Sequence, residues 1–395
     1  MVFDDPRKMA FLTLKFFEKN PSSFVETFWE KKPINLSHQD ERLMKEITFG
    51  VIKRNLSLNY LVEKIFGKKM SKEGKIILKI ALYQYLFLDK IPLYAIVNTT
   101  VELAKIFLDS RVAGYFNAIL RKINKNQLAL PRERMDIFYS YPQFYIASLL
   151  QQYGEEKTKE ILEVQNRPPT VMVRIRKNPT SFGENFYHNH VKINTLKKEE
   201  PIQKIAKDSN VYIQNFTPAY LIEQMARNIK KEEMKILDLC SSPGGKLILV
   251  HDLFPKAQLF ANDVSDKKLD VLKQNLEKYD IKATVFKQQA EKFKSDLKFD
   301  LIIIDAPCSN SGVLHKRPEA RWRLSEENIK KQQKLQLLML HNAKNLLAEE
   351  GQVWYLTCSI LKQENEDVVG EVNDIYKILP DKEGRDGGFG CVLKY

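Results

Sequence analysis

Two cysteines stand where strand-forming runs end: Cys308 in FDLIIIDAPCS and Cys358 in QVWYLTCS. A cysteine acts as a nucleophile through its thiolate, so its reactivity follows whatever its surroundings do to the thiol proton. One cysteine at a strand end is more often a small buried hydrophobe than a catalyst. Two at strand ends, one of them following Asp305 in DAPCS, are harder to read as packing. The other two, Cys240 in LDLCSSPGGK and Cys391 in GFGCVLKY, read as part of a ligand turn and as a core residue of the final strand. Neither the four cysteines nor the six histidines show metal-ligand spacing, so no metal is expected.

Strand ends converge on one pocket only if a sheet brings them together. From residue 216 the chain alternates β-rich segments (MKILDLC, QLFANDV, ATVFKQ, DLIIIDA, QVWYLTC) with helical ones, which predicts a doubly wound, largely parallel sheet. Ligands of such sheets bind outside the carboxyl ends of the strands, where Cys240, Cys308 and Cys358 all fall. Upstream, Leu43, Ile47 and Val51, and then Ile76, Ile80, Tyr83 and Phe87, recur at helical spacing, so the first third reads as a helical bundle. Between the two, LLQQYGEEKTKEILEVQN reads as a helix stopped by Pro168 and Pro169, and TVMVRIR alternates like a strand. The expected organisation is multidomain: a helical domain at 1–130, a linker with a small α+β module at 131–215, and an α/β domain at 216–395.

LDLCSSPGGK reads as a strand, a glycine turn and a helix. Gly244 and Gly245 permit positive φ and close backbone approach. Asp263 follows Gly245 by 18 residues, at the end of the next strand, where a carboxylate can accept from a ribose diol. The glycines match neither a dinucleotide fingerprint nor a phosphate loop. A single nucleoside without a diphosphate fits better, and S-adenosylmethionine is the common cofactor of that shape.

That cofactor gives the cysteines a task. Carbon 5 of a pyrimidine is too weak a nucleophile to take a methyl group unaided. A thiolate adding to carbon 6 makes the ring an enamine, which splits one hard step into easier ones. Lys246 and the cofactor's positive sulfur can supply the field that favours a thiolate. Asp305, when protonated, can hydrogen-bond ring N3. One thiolate suffices for addition, which leaves a second cysteine for elimination.

Together LDLCSSPGGK, DAPCSNSGV, RPEARWRL and TCSILKQENE resemble the RNA cytosine-5 methyltransferases of the Sun (NSUN) family. VQNRPPTVMVRI and YIQNFTPAYL resemble that family's upstream segments, and the helical region resembles its NusB-like RNA-binding domain. The combination is similar to the bacterial RsmB type, which acts on 16S rRNA. The resemblance implies an all-α NusB-like bundle, a small α+β module and a C-terminal Rossmann-like methyltransferase domain. It implies Cys358 as nucleophile, Cys308 as the cysteine of product release, and Asp305 and Lys246 as catalytic residues. It places S-adenosylmethionine against Cys240, Ser241, Ser242, Pro243, Gly244, Gly245, Lys246, Asp263 and Asp305. One position departs: where the family usually has an acidic residue at the third strand's end, this chain has Gln289, with Glu291 nearby. A glutamine oxygen still accepts from an adenine amino group, but without the charge.

The net charge of +13 is concentrated upstream: residues 1–130 hold 22 Lys and Arg against 13 Asp and Glu. That excess suggests a nucleic-acid partner. HKRPEARWRL offers Lys316, Arg317, Arg321 and Arg323 to phosphates and Trp322 to an unpaired base. Arg111, Arg121, Lys122 and Lys125 are further basic candidates. The target base must leave its stack to reach a sheet-edge pocket. The first residues lack a signal peptide's apolar core and no segment reads as a membrane span, so a cytoplasmic monomer is expected. Two other readings stand beside 16S rRNA methylation: the same chemistry on another RNA such as tRNA, and a non-catalytic RNA-binding or ribosome assembly factor.

Overall fold

The computed structural model describes residues 5–21, 23–31, 35–176, 184–188, 191–196 and 202–395. Two compact units account for the chain: residues 1–151 with 317–324, and residues 152–316 with 325–395.

The first unit is helical, with helices at Pro6–Lys19, His38–Lys53, Asn55–Phe66, Lys72–Phe87, Leu93–Phe107 and Ser110–Leu120. Asp5, Ser37, Ser71 and Asp109 cap four of these, each side chain accepting from first-turn N–H groups that have no partner in the helix. Their apolar stripes form one core around Met9, Phe11, Ile47, Leu58, Ile80 and Phe116. Gly50 lets the helices 38–53 and 72–87 meet closely, since a Cβ there would stand 1.9 Å from the Tyr83 ring. The unit extends past 130, where the sequence turns polar, because Ser140 and Tyr141 are wholly buried in it.

Residues 317–324 complete this unit, and they correct an expectation. Arg321 is not on an RNA-facing surface. It is fully buried, donating to Lys53 O at 2.6 Å, Ser140 O at 3.0 Å and the Tyr141 hydroxyl at 2.7 Å. Its guanidinium lies over the Tyr141 ring, 3.6 Å from the centroid. Trp322 packs against the helical core and donates its indole N–H to Ile52 O at 2.9 Å, so its ring is a wall of the bundle rather than a stacking platform. Arg323 is half-buried over Phe24, and Arg317 is exposed beside Glu26. The sequence pattern of arginines around a tryptophan does not distinguish a groove from a packed tail; burial does.

In the second unit, β1 (Met172–Ile175), β2 (Glu184–His188), β3 (Val191–Thr195) and β4 (Val211–Ile213) form an antiparallel sheet in the order β2-β3-β1-β4. Segments 177–183, 189–190 and 197–201 of the expected small module lie outside the described residues. The main sheet holds β5 (Lys235–Asp238), β6 (Gln258–Asn262), β7 (Ala283–Phe286), β8 (Phe299–Asp305), β9 (Leu347–Thr357), β10 (Ile375–Ile378) and β11 (Gly388–Lys394). Their order is β10-β11-β9-β8-β5-β6-β7, with β5 to β9 parallel and β11 antiparallel to both neighbours. Central strands covered on both faces must be apolar on both. On β8, Leu301 and Ile303 enter one core while Ile302 and Ile304 enter the other, and Trp354 and Tyr355 of β9 divide likewise. The chain order reverses between β5 and β8, the position at which such a sheet opens a crevice.

Candidate active site

The carboxyl ends of β5, β6, β8 and β9 carry the side chains singled out above. At the end of β5 the chain enters CSSPGGK through a cis Ser242–Pro243 bond, and Gly244, at φ 103°, starts the helix Gly245–Leu253. The turn is pinned from outside: Ser241 N–H donates to Asn262 O, and Asn275 Nδ2 donates to Pro243 O. Asp263, at the end of β6, is buried; its Oδ1 accepts from Val264 N–H at 2.8 Å and lies 3.5 Å from Lys268 Nζ. A carboxylate at a strand's carboxyl end beside a glycine turn is what a ribose diol needs, so these residues fit the cofactor that the sequence implies. Gln289 is exposed three residues beyond the end of β7.

Lys246 reaches back from that helix to Asp305 at the end of β8, with Nζ 2.6 Å from Oδ2. Burial works against its charge, but Asp305, Asp238 and Cys358 outweigh burial and hold the ammonium above its ordinary pKa. It therefore stays a cation within the field of Cys358. Asp238, buried under the turn, is pushed up to about 7, first by burial and then by the charge of Asp305.

Asp305 pairs with Leu356 in the β8–β9 register, so the loops after both strands leave the sheet side by side. The result is a close pair of free thiols, with Cys308 Sγ 3.2 Å from Cys358 Sγ. Asn310, held at φ 61°, donates from Nδ2 to Cys308 O and accepts at Oδ1 from Cys358 Sγ at 3.3 Å. Asparagine is among the few side chains that tolerate that left-handed backbone. Gly312 lies under the pair, donating to Cys358 O at 2.9 Å; a Cβ there would come within 2.7 Å of that oxygen. The Cys308 thiol is pushed well above its ordinary pKa, first by its bond with Cys358, then by burial and by the charges of Cys358 and Glu364. The Cys240 thiol is also pushed up, by burial first and then by Asp238, Asp305 and Asp263, which leaves it unreactive.

Sequence reasoning missed the residues that join the two loops. Glu364, wholly buried, accepts from Ser309 N–H at 2.8 Å and from the Ser309 hydroxyl. Gln336 Nε2 donates to Pro307 O at 2.9 Å and lies 3.5 Å from Glu364 Oε1. The Ser311 and Ser359 hydroxyls meet at 2.8 Å, and Ser311 Oγ accepts from Ile360 N–H. Glu364, Ser309 and Ser311 lie inside the quoted motifs, yet their pairing needs the register of β8 on β9. Lys316 is drawn to Asp386, 2.8 Å away, and His315 lies 3.0 Å from the same carboxylate, so Lys316 is half-committed within its own unit. Among the described residues there is no cluster able to hold a metal ion and no helix long and apolar enough to cross a membrane.

Comparison with known proteins matches this arrangement. Residues 225–384 match the family model described as 16S rRNA methyltransferase RsmB/F, and residues 4–125 match the NusB family. A curated relative from Proteus mirabilis (strain HI4320), named ribosomal RNA small subunit methyltransferase B, is 25% identical over 91% of this chain and 91% of its own. The crystal structure of PH0851 superposes with a TM-score of 0.75 at 20% identity, covering 99% of both chains. NSun6 from Pyrococcus horikoshii, solved with SFG, covers 65% of this chain and 99% of its own, with a TM-score of 0.54 at 15% identity. At these identities the two structures establish the fold. The chain thus joins a segment that matches the 16S rRNA methyltransferases RsmB/F, at residues 225–384, to a segment that matches the NusB family, at residues 4–125.

Proposed function

We propose that the protein methylates carbon 5 of a cytosine in 16S rRNA, using S-adenosylmethionine, through a covalent bond between Cys358 and carbon 6 of the ring. The observation that carries this reading is the thiol pair, 3.2 Å apart, at the ends of β8 and β9 beside the Lys246–Asp305 ion pair. Support for the methyl donor comes from the matched family model, from the placement of Asp263 at the end of β6, and from NSun6, whose ligand SFG is an analogue of S-adenosylmethionine.

The CSSPGGK turn, Asp263 and Gln289 would hold the donor, which supplies an electrophilic methyl group. The rest falls to this chain. Cys358 loses its proton to solvent water and its sulfur pair forms the bond to carbon 6, moving the ring electrons toward carbon 5 and N3. Lys246, held cationic by Asp305, stabilises the thiolate before attack. Asp305, once it has taken up a proton, can donate a hydrogen bond to ring N3 as charge builds there. After carbon 5 has gained the methyl group, its proton leaves to a base. The electron pair of that C–H bond re-forms the ring double bond, and the C6–S pair returns to Cys358. Cys308, in contact with that sulfur, serves this elimination.

Cytosine methylation is tested by incubating the protein with labelled S-adenosylmethionine and unmethylated 16S rRNA and mapping the modified nucleotide. The expected product is 5-methylcytosine at a defined position. Label on tRNA instead would select the other-RNA reading, and no label on any RNA would select the assembly-factor reading.

A further inference from the structure

Glu364 is wholly buried, and no cation pairs with it among the described residues. Its bonds are to the N–H and hydroxyl of Ser309, to Ser359 and, at 3.5 Å, to Gln336. Burial pushes its carboxyl above the usual carboxylate range, while the hydrogen bonds from Ser309, Ser359 and Gln336 pull the other way by favouring the charged form. Ser309 is the neighbour of Cys308, which sets the carboxylate beside one thiol of the pair. On the other side, Lys246 stands within the field of Cys358. Two thiols in contact, with an acidic group beside one and a cation beside the other, are polarised.

We propose that Glu364, as a carboxylate, is a positioning residue that decides which cysteine becomes the nucleophile: it anchors the Cys308 loop through Ser309 and keeps the Cys308 thiol protonated, so that the negative charge forms on Cys358. The upward push on the Cys308 thiol, to which Glu364 contributes, agrees with this geometry. Tyr355 braces the arrangement, its hydroxyl donating to the Glu364 backbone oxygen at 2.7 Å. The inference deepens the proposed cytosine chemistry and rests on it for its meaning, but its test uses neither RNA nor methyl donor.

The test is first-hit alkylation of the protein by iodoacetamide at neutral pH, with each cysteine quantified by peptide mass spectrometry. Cys358 is expected to react first in the unaltered protein. In Glu364→Gln the ratio of Cys308 to Cys358 labelling should rise about tenfold, the effect of roughly one pKa unit on a thiol. Ser309→Ala, which keeps the charge and loses one hydroxyl bond, should hold the ratio near that of the unaltered protein. A purely structural Glu364 would lower the melting temperature of both variants without moving the ratio. An unmoved ratio in folded Glu364→Gln overturns the proposal. If that variant does not fold, equal labelling of the two cysteines in the unaltered protein overturns it instead. Failure of cytosine methylation with the ratio shifted would sink the proposed reaction and leave the polarised pair standing.

Discussion

Residues 305–316 and 317–324 are consecutive in the chain and read as one loop, yet they belong to different units. The first stretch leaves the end of β8 and supplies Asp305, Cys308 and Asn310 to the site. The second supplies Arg321 and Trp322 to the helical unit, where both spend their donors on backbone carbonyls. Basic and aromatic residues next to a catalytic motif are therefore not, by adjacency, part of its substrate surface. Their chemistry is set by whether their donors face solvent.

Substitutions on the two sides of this boundary should separate chemistry from stability. The largest effect belongs to Asp305→Asn, which removes the charged partner of Lys246. Methyl transfer should fall by about 10²–10³ at unchanged melting temperature, read as single-turnover rate against calorimetry. A fall in melting temperature that alone accounts for the lost rate would erase the contrast. Across the boundary, Arg321→Met should destabilise the helical unit by about 3 kcal/mol, because it removes the buried hydrogen bonds that Arg321 donates to Lys53 O, Ser140 O and the Tyr141 hydroxyl. Urea titration reads that loss, and the salt dependence of RNA binding should not change.

A pH series gives a third separation. The carboxyl of Asp238 titrates ordinarily near 3.8 and in the fold near 7, so the folded state holds its proton more tightly. Its contribution to stability is full below about pH 4 and is lost as pH rises to about 7. Unfolding midpoints of the methyltransferase unit should follow that decline, and Asp238→Asn should flatten it; an unchanged profile in the variant would assign the decline to other groups. The smallest effect is expected for exposed Arg317: Arg317→Ala should lower the slope of log affinity against log salt by about 1 while changing stability by less than about 1 kcal/mol. A slope unchanged in Arg317→Ala would remove Arg317 from the RNA surface.

Much of the second unit is legible from sequence because its strands are bounded by turns and carry apolar residues on both faces, as FDLIIID does at β8. The helices at 38–53 and 72–87 are legible for the same reason, through spacing and serine caps. Cysteine placement at the strand ends was visible too. What sequence could not supply was any contact that depends on register across strands. Glu364 meets Ser309 only because β8 lies beside β9, and the 3.2 Å separation of the thiols has the same origin. Arg321 was misread for a related reason: the carbonyls it satisfies, at Lys53 and Ser140, lie far from it in the chain.

The division of labour between the two cysteines is tested most directly by trapping. Cys308→Ser and Cys358→Ser are each mixed with unmethylated 16S rRNA and S-adenosylmethionine, denatured, and run on a gel that separates free protein from protein joined to RNA. The account predicts a covalent complex that accumulates in Cys308→Ser and none in Cys358→Ser. A complex in Cys358→Ser and none in Cys308→Ser would exchange the two roles and contradict it.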